Sequence, residues 1–145
     1  MKAGFYDGVK VNVKRLFFII VLVTFNLGLS LSIAQPTRWV APKDADNVKN
    51  PVTPNSSTLS DGKTLYIANC GPCHGNKGKG DGPAAPGLNP KPADHTSAAV
   101  QSEADGSLFW KLSEGRNPMP GYKKIFSEQQ RWELINYIRT LAKKR

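Results

Sequence analysis

Residues 70–74 read Cys70-Gly71-Pro72-Cys73-His74, and they hold both cysteines of the chain and the first of its two histidines. Cys-x-x-Cys-His is the spacing of a c-type haem attachment site. Each thiol can add to a vinyl group of the porphyrin to form a thioether, and the adjoining imidazole is then set beneath the iron as an axial ligand. On this reading the cofactor carries the chemistry, and the chain supplies attachment, orientation and electrostatics.

The same residues admit other chemistry. Cys-Gly-Pro-Cys is also a thiol–disulfide redox motif, which needs a buried strand before it and a helix running on after it. The preceding Ser60-Asp61-Gly62-Lys63-Thr64-Leu65-Tyr66-Ile67-Ala68-Asn69 reads as a helix rather than an apolar strand, and glycines and prolines follow the motif. A structural zinc site needs four ligands. The chain offers Cys70, Cys73, His74 and His95, with His74 too close to Cys73 to chelate freely beside it. A disulfide would account for the cysteines and leave His74 idle.

An electron-carrying haem iron needs a second axial ligand. Once a cleaved leader removes Met1, the remaining methionine is Met119, in Arg116-Asn117-Pro118-Met119-Pro120-Gly121-Tyr122. The flanking prolines restrict the backbone and remove amide donors, so the sulfur is presented at low entropic cost. A thioether opposite a histidine favours ferrous iron and raises the potential. The bland reading of Met119 is a core gap-filler. His95 is the rival sixth ligand, and it is otherwise expected to be an exposed loop histidine.

Outward from the motif, a helix is expected to start at about Leu59 with Ser60 as its N-cap. Gly75 to Pro92 contains five glycines and four prolines and should form an irregular loop covering one haem face. A short helix over Ser107–Glu114, capped by Asp105 or Ser102 and stopped by Gly115, offers Leu108, Phe109, Trp110 and Leu112 for burial. Ser127 with Gln130 makes a capping box for a last helix carrying Trp132, Leu134, Ile135, Ile138 and Leu141, with Lys143, Lys144 and Arg145 at its negative end. No stretch alternates well enough to be a strand.

Taken together, the helix into Cys-Gly-Pro-Cys-His-Gly, the Asn-Pro-Met-Pro-Gly-Tyr loop and the closing Trp132-Glu133-Leu134-Ile135-Asn136-Tyr137-Ile138-Arg139 resemble class I c-type cytochromes, in particular small bacterial monohaem cytochromes c. The resemblance runs from about Leu59 to Leu141. It implies an all-α, cytochrome c-like fold of three to five short helices and long irregular loops wrapped around one covalently bound haem c. It implies thioethers at Cys70 and Cys73, with His74 and Met119 as the iron ligands. It also implies that the first and last helices cross through Gly62 and Tyr66 on one and Leu134, Tyr137 and Ile138 on the other. A proline carbonyl, of Pro83 or Pro86, is expected to orient the proximal imidazole.

The N-terminus sets the expected compartment. Lys2, Lys10, Lys14 and Arg15 precede nineteen uncharged residues (16–34), which end in Ser32-Ile33-Ala34. Residues 1–34 read as a secretory signal peptide, or as an uncleaved anchor giving membrane association through 16–34. The haem domain is then periplasmic or otherwise extracytoplasmic. Residues 35–57, with four prolines, form an extended Pro-rich lead-in, part of which Trp39 and Val40 are expected to pin onto the domain, and 58–145 the cytochrome domain. The formal charge of +9 falls to +6 without the four basic and one acidic residues of 1–34. Neither a nucleic-acid motif nor an aromatic-interleaved basic stripe is present, so no nucleic acid is expected.

With both axial positions filled, no small-molecule substrate and no catalytic residues are expected. The chain reads as an electron-transfer protein of a respiratory or redox chain rather than an enzyme. Its partners would be redox proteins with acidic docking surfaces, met by Lys77, Lys79, Lys123 and Lys124. The alternatives are a haem subunit of a larger membrane-associated oxidoreductase complex, and a thiol–disulfide oxidoreductase using Cys70 and Cys73.

Overall fold

The helix that leads into the attachment motif begins where its cap allows. In the computed structural model, which describes residues 12, 14, 15, 17 and 38–142, helix α1 spans Ser56–Asn69. Asn55 caps it: its side chain accepts from the Ser57 and Thr58 amides, and the Thr58 hydroxyl accepts from the Asn55 amide. Three otherwise unpaired donors are satisfied in this way. The helix therefore starts one turn earlier than the Ser60 cap expected from the sequence. The expected leader, apart from four residues, and Lys143–Arg145 lie outside the described residues.

Among the described residues four further helices follow: α2 (Gly71–His74), α3 (Ala98–Gln101), α4 (Asp105–Glu114) and α5 (Glu128–Thr140). Single 3-10 turns occupy Lys43–Asn47 and Ala85–Gly87. Among the described residues there is no strand, only an isolated bridge between Arg116 and Met119. The fold is all-α. The capping box expected at Ser127 and Gln130 is formed. Helix α4 differs from expectation: it starts at Asp105, its N-cap is Ala104, and no side chain caps it.

Helices α1 and α5 make the main contact of the fold. They meet at Gly62, where an added Cβ would lie 2.2 Å from the Glu133 carbonyl oxygen and 3.2 Å from Tyr137 Cβ. Only a residue without a side chain lets the two backbones approach so closely. One turn on, the Tyr66 ring packs at 5.2 Å from Tyr137. Tyr66, Cys70, Leu112, Tyr122, Trp132, Leu134, Ile135 and Ile138 form one buried cluster. The crossing expected through Gly62, Tyr66, Leu134, Tyr137 and Ile138 is the one observed. Helix α4 closes the core from the side, with Phe109 stacked on Trp132 at 3.9 Å. At the far end of α5, Arg139 joins α3 and α4 by bonding the Asp105 carboxylate (2.7 Å) and the Gln101 carbonyl (3.0 Å).

The compact unit runs from Trp39 onward. Where the sequence suggests an extended lead-in, residues 39–55 form a strap packed on α4 and α5. Its 3-10 turn buries Ala45 and places Asp46 to accept from the Ser107 hydroxyl at 2.5 Å. Gly106 of α4 lets this turn approach: an added Cβ would lie 2.0 Å from the Ala45 carbonyl oxygen. Asn136, buried on α5, accepts from Asn50 (2.8 Å) and donates to the Val52 carbonyl (2.9 Å). Buried polar groups are costly unless paired, and here the strap supplies the partners.

Gly62→Ala forces the α1–α5 crossing apart. Overpacking of this kind costs about 1 kcal/mol or more. Thermal unfolding of the haem-loaded protein, followed by far-ultraviolet circular dichroism, is expected to show a midpoint at least ~4 °C lower. An unchanged midpoint would contradict the contact.

Candidate haem site

The attachment motif is the hinge between α1 and α2. Cys70 ends α1, its amide donating to the Tyr66 carbonyl at 2.8 Å. It also opens α2, its own carbonyl accepting from the Cys73 and His74 amides at 3.1 and 2.8 Å. Residues three and four apart in a helical turn share a face, so this single turn brings Cys70, Cys73 and His74 together. Cys70 and His74 are buried, Cys73 is half-buried, and the thiols are free rather than joined as a disulfide. The glycine-rich loop after the motif folds back on it. Gly80, Gly82 and Ala84 donate to the carbonyls of His74 (2.8 Å), Cys73 (3.1 Å) and Pro72 (2.9 Å). The loop thus pairs backbone acceptors that α2 is too short to pair itself.

His74 Nδ1 lies 2.9 Å from the Ala93 carbonyl oxygen. A carbonyl only accepts, so Nδ1 carries the proton, and Nε2 of the neutral ring keeps its lone pair. This is the tautomer and outer bond of a metal-ligating histidine. Burial lowers the His74 pKa, a shift the Ala93 bond only partly opposes, and so favours the neutral ring. The orienting carbonyl is therefore Ala93, which follows Pro92, and neither Pro83 nor Pro86. The nearer prolines are committed elsewhere: the chain at Pro83 folds back onto Pro72 through Ala84, and the Pro86 carbonyl accepts from Lys91 at 2.7 Å.

His95 is not an exposed loop histidine. Its ring stacks on His74, centroids 4.1 Å apart and planes 18° apart. Its Nδ1 shares a hydrogen bond with the Tyr66 hydroxyl at 2.9 Å. Its amide donates to the Gly78 carbonyl and its carbonyl accepts from Gln101. Burial pushes its pKa down to about 3, which keeps it neutral. A ring stacked face to face on His74 would brace that imidazole rather than offer a second ligand from across a bound haem.

Met119 sits in a tight turn beyond α4. The Arg116 and Met119 amides each donate to the other's carbonyl, at 3.0 and 2.8 Å, around Asn117-Pro118. The chain then doubles back, with Tyr122 and Lys123 donating to the Leu112 and Ser113 carbonyls. The Tyr122 hydroxyl donates to the Asn69 carbonyl (3.2 Å), next to Cys70. Burial first, and then Cys70 and Cys73, push the Tyr122 phenol up to about 12, which places it in the field of both thiols. Met119 is half-buried and packs on the core cluster that includes Cys70 and Tyr122. Lys77, Lys79, Lys123 and Lys124 are exposed, and Lys123 pairs with Glu114 at 3.3 Å.

A thiol–disulfide enzyme needs an activated, low-pKa cysteine. Cys70 is the opposite case: burial pushes its thiol up to about 12. The donor set fits haem attachment instead, with two free thiols on one helical turn and a neutral imidazole whose outer nitrogen is held.

Comparison with known proteins agrees. A family model described as cytochrome c matches residues 59–142, more than half of the chain. Among solved structures, the chain is similar to one from the "Kuenenia stuttgartiensis reducing HAO-like protein complex Kustc0457/Kustc0458". The TM-score is 0.59 and the identity 30%, over 66% of this chain and 50% of that one, so this chain spans half the length of that relative. A search of curated proteins gave no match. The chain belongs to the cytochrome c family. Membership implies covalently bound haem c and haem-based electron transfer, and the residues at the site suit both.

Tyr66→Phe removes the partner of His95 Nδ1 inside the core. Leaving a buried polar group unpaired costs about 1–3 kcal/mol. Urea unfolding of the haem-loaded variant is expected to show a lower midpoint with an unchanged slope.

Proposed function

We propose that this protein carries single electrons on one haem c, bound through Cys70 and Cys73 and ligated by His74 and Met119, outside the cytoplasm. The observation that carries the reading is the His74–Ala93 bond. It presents Nε2 as a ligand atom on the same turn as two free thiols. A single haem accords with the two cysteines of the chain. The extracytoplasmic assignment rests on the leader-like residues 1–34.

When bound, the haem supplies reversible uptake and release of one electron at iron. The chain's own residues do the rest. Cys70 and Cys73 fix the group to the end of α1, and Ala93 and His95 hold the plane of His74. The Arg116–Met119 turn offers a soft sulfur, which favours the reduced state and raises the potential. Residues already held by packing reorganise little when the charge changes. Exposed Lys77, Lys79 and Lys124 would attract an acidic redox partner, with Lys123 contributing less because Glu114 neutralises part of its charge.

A second reading, as a haem subunit of a larger oxidoreductase complex, is favoured by the assembly named for the similar solved structure. Co-purification of stoichiometric partners would select it over a free carrier.

Purified, export-matured protein is expected to show a reduced c-type spectrum and, when oxidised, a weak near-infrared methionine–iron band. Met119→Ala should abolish that band and His95→Ala should leave it in place. Colourless protein with two titratable thiols would sink the proposal. Electron exchange with an acidic partner is expected to slow as salt is raised.

A further inference from the structure

The strap that precedes α1 reaches the turn carrying Met119, through one side chain. Trp39 packs edge-on against Trp110 of α4, with ring centroids 6.3 Å apart. The Arg116 guanidinium lies over the Trp39 ring at 5.0 Å, and Lys111 Nζ at 5.7 Å. Arg116 is the residue whose amide and carbonyl are both bonded to Met119. Trp39 therefore grips the base of the methionine turn, while Asn117, Pro118 and Pro120 at its rim are exposed. The strap is itself fastened at two other points, Asp46 to Ser107 and Asn50 to Asn136. It lies outside the residues 59–142 matched by the family model, so this clamp is a feature of the chain beyond the shared domain.

We infer that Trp39 is a positioning residue for Met119, holding Arg116 and with it the turn that presents the thioether. The inference rests on the proposed ligation by Met119. A methionine ligand exchanges between bound and released states, and an external ligand reaches the iron only in the released one. The apparent affinity for that ligand therefore scales with the released fraction. A clamp removed from the turn raises that fraction; loss of a half-exposed cation–π contact corresponds to about fivefold.

The test is an imidazole titration of the oxidised, haem-loaded protein, with the methionine–iron band and far-ultraviolet circular dichroism recorded on the same samples. Trp39→Ala is expected to bind imidazole about fivefold more tightly than wild type. On heating it should lose the methionine–iron band well before its helices melt. Trp39→Phe keeps a ring beneath Arg116 and should restore most of the wild-type affinity. Arg116→Ala should raise the affinity in the same direction, and the double variant should fall short of the product of the two single effects, because the Trp39–Arg116 contact is common to both. Asp46→Ala loosens the strap at its other end and should leave imidazole binding near the wild-type value. Equal affinities in wild type and Trp39→Ala, with the band intact in both, would overturn the inference and leave the ligation reading standing. An Asp46→Ala effect as large as that of Trp39→Ala would overturn it in favour of general strap stability. A wild type that lacks the band and binds imidazole as Met119→Ala does would overturn both.

Discussion

The close approach of α1 and α5 at Gly62 is the constraint on which the site depends. With the Glu133 carbonyl 2.2 Å from where a Cβ would stand, α1 has one seat on α5, and its far end is placed accordingly. That end carries Tyr66 into the core and delivers Cys70 at the last turn. The Tyr66 hydroxyl reaches His95, and His95 lies flat on His74. A packing decision between two backbones is thereby passed through Tyr66 and His95 to the His74 imidazole. Interiors are close-packed and transmit displacement, so a shift at the crossing is felt at His74 even though the two never touch.

Around this rigid seam the domain is mostly loop, and the loops are organised by backbone hydrogen bonds more than by apolar area. Residues 75–84 cover the motif by donating to its carbonyls, and Ala93 returns from the next segment to hold Nδ1 of His74. A domain this small buries a limited protein core, and a covalently held flat apolar cofactor would make up part of the deficit. The position of Cys70 follows the same logic. Its thiol is buried where it cannot ionise readily, which suits a permanent covalent bond and not a cycle of attack and release.

Much of this was legible in the sequence because it rests on short-range chemistry. The Cys70–His74 spacing, the Ser127–Gln130 box and the apolar period of α5 each follow from residues a few positions apart. Gly62 was legible through family resemblance, since a glycine inside a helix has no local rationale. The features that escaped depend on long-range placement. Nothing near His74 points to Ala93, nineteen residues on, because a backbone carbonyl leaves no trace in side-chain identity. His95 looked exposed because its partners are Tyr66, Gly78 and Gln101, none of them its neighbour in sequence. Polar Asn50 and Asn136, eighty-six residues apart, concealed the strap, since each reads as solvent-facing until paired. The Asn55–Thr58 box escaped for a different reason: it falls on the stretch whose prolines and polar residues read as lead-in, so the helix start was placed beyond it.

The two sides of the candidate haem site are held in different ways, and the difference has a physical origin. His74 belongs to the helical turn that also bears both thiols, and Ala93 and His95 reinforce that turn as one rigid element. Met119 stands on a four-residue turn beyond the end of α4, tied to the core by Tyr122 and to the strap through Arg116. A turn with exposed prolines has few side chains of its own to bury, and stability in such a segment has to come from outside it. In this chain the outside support comes from residues that precede the shared domain. A segment that reads as a linker by composition therefore acts as part of the scaffold, because it supplies an aromatic ring where the Met119 turn presents a cation.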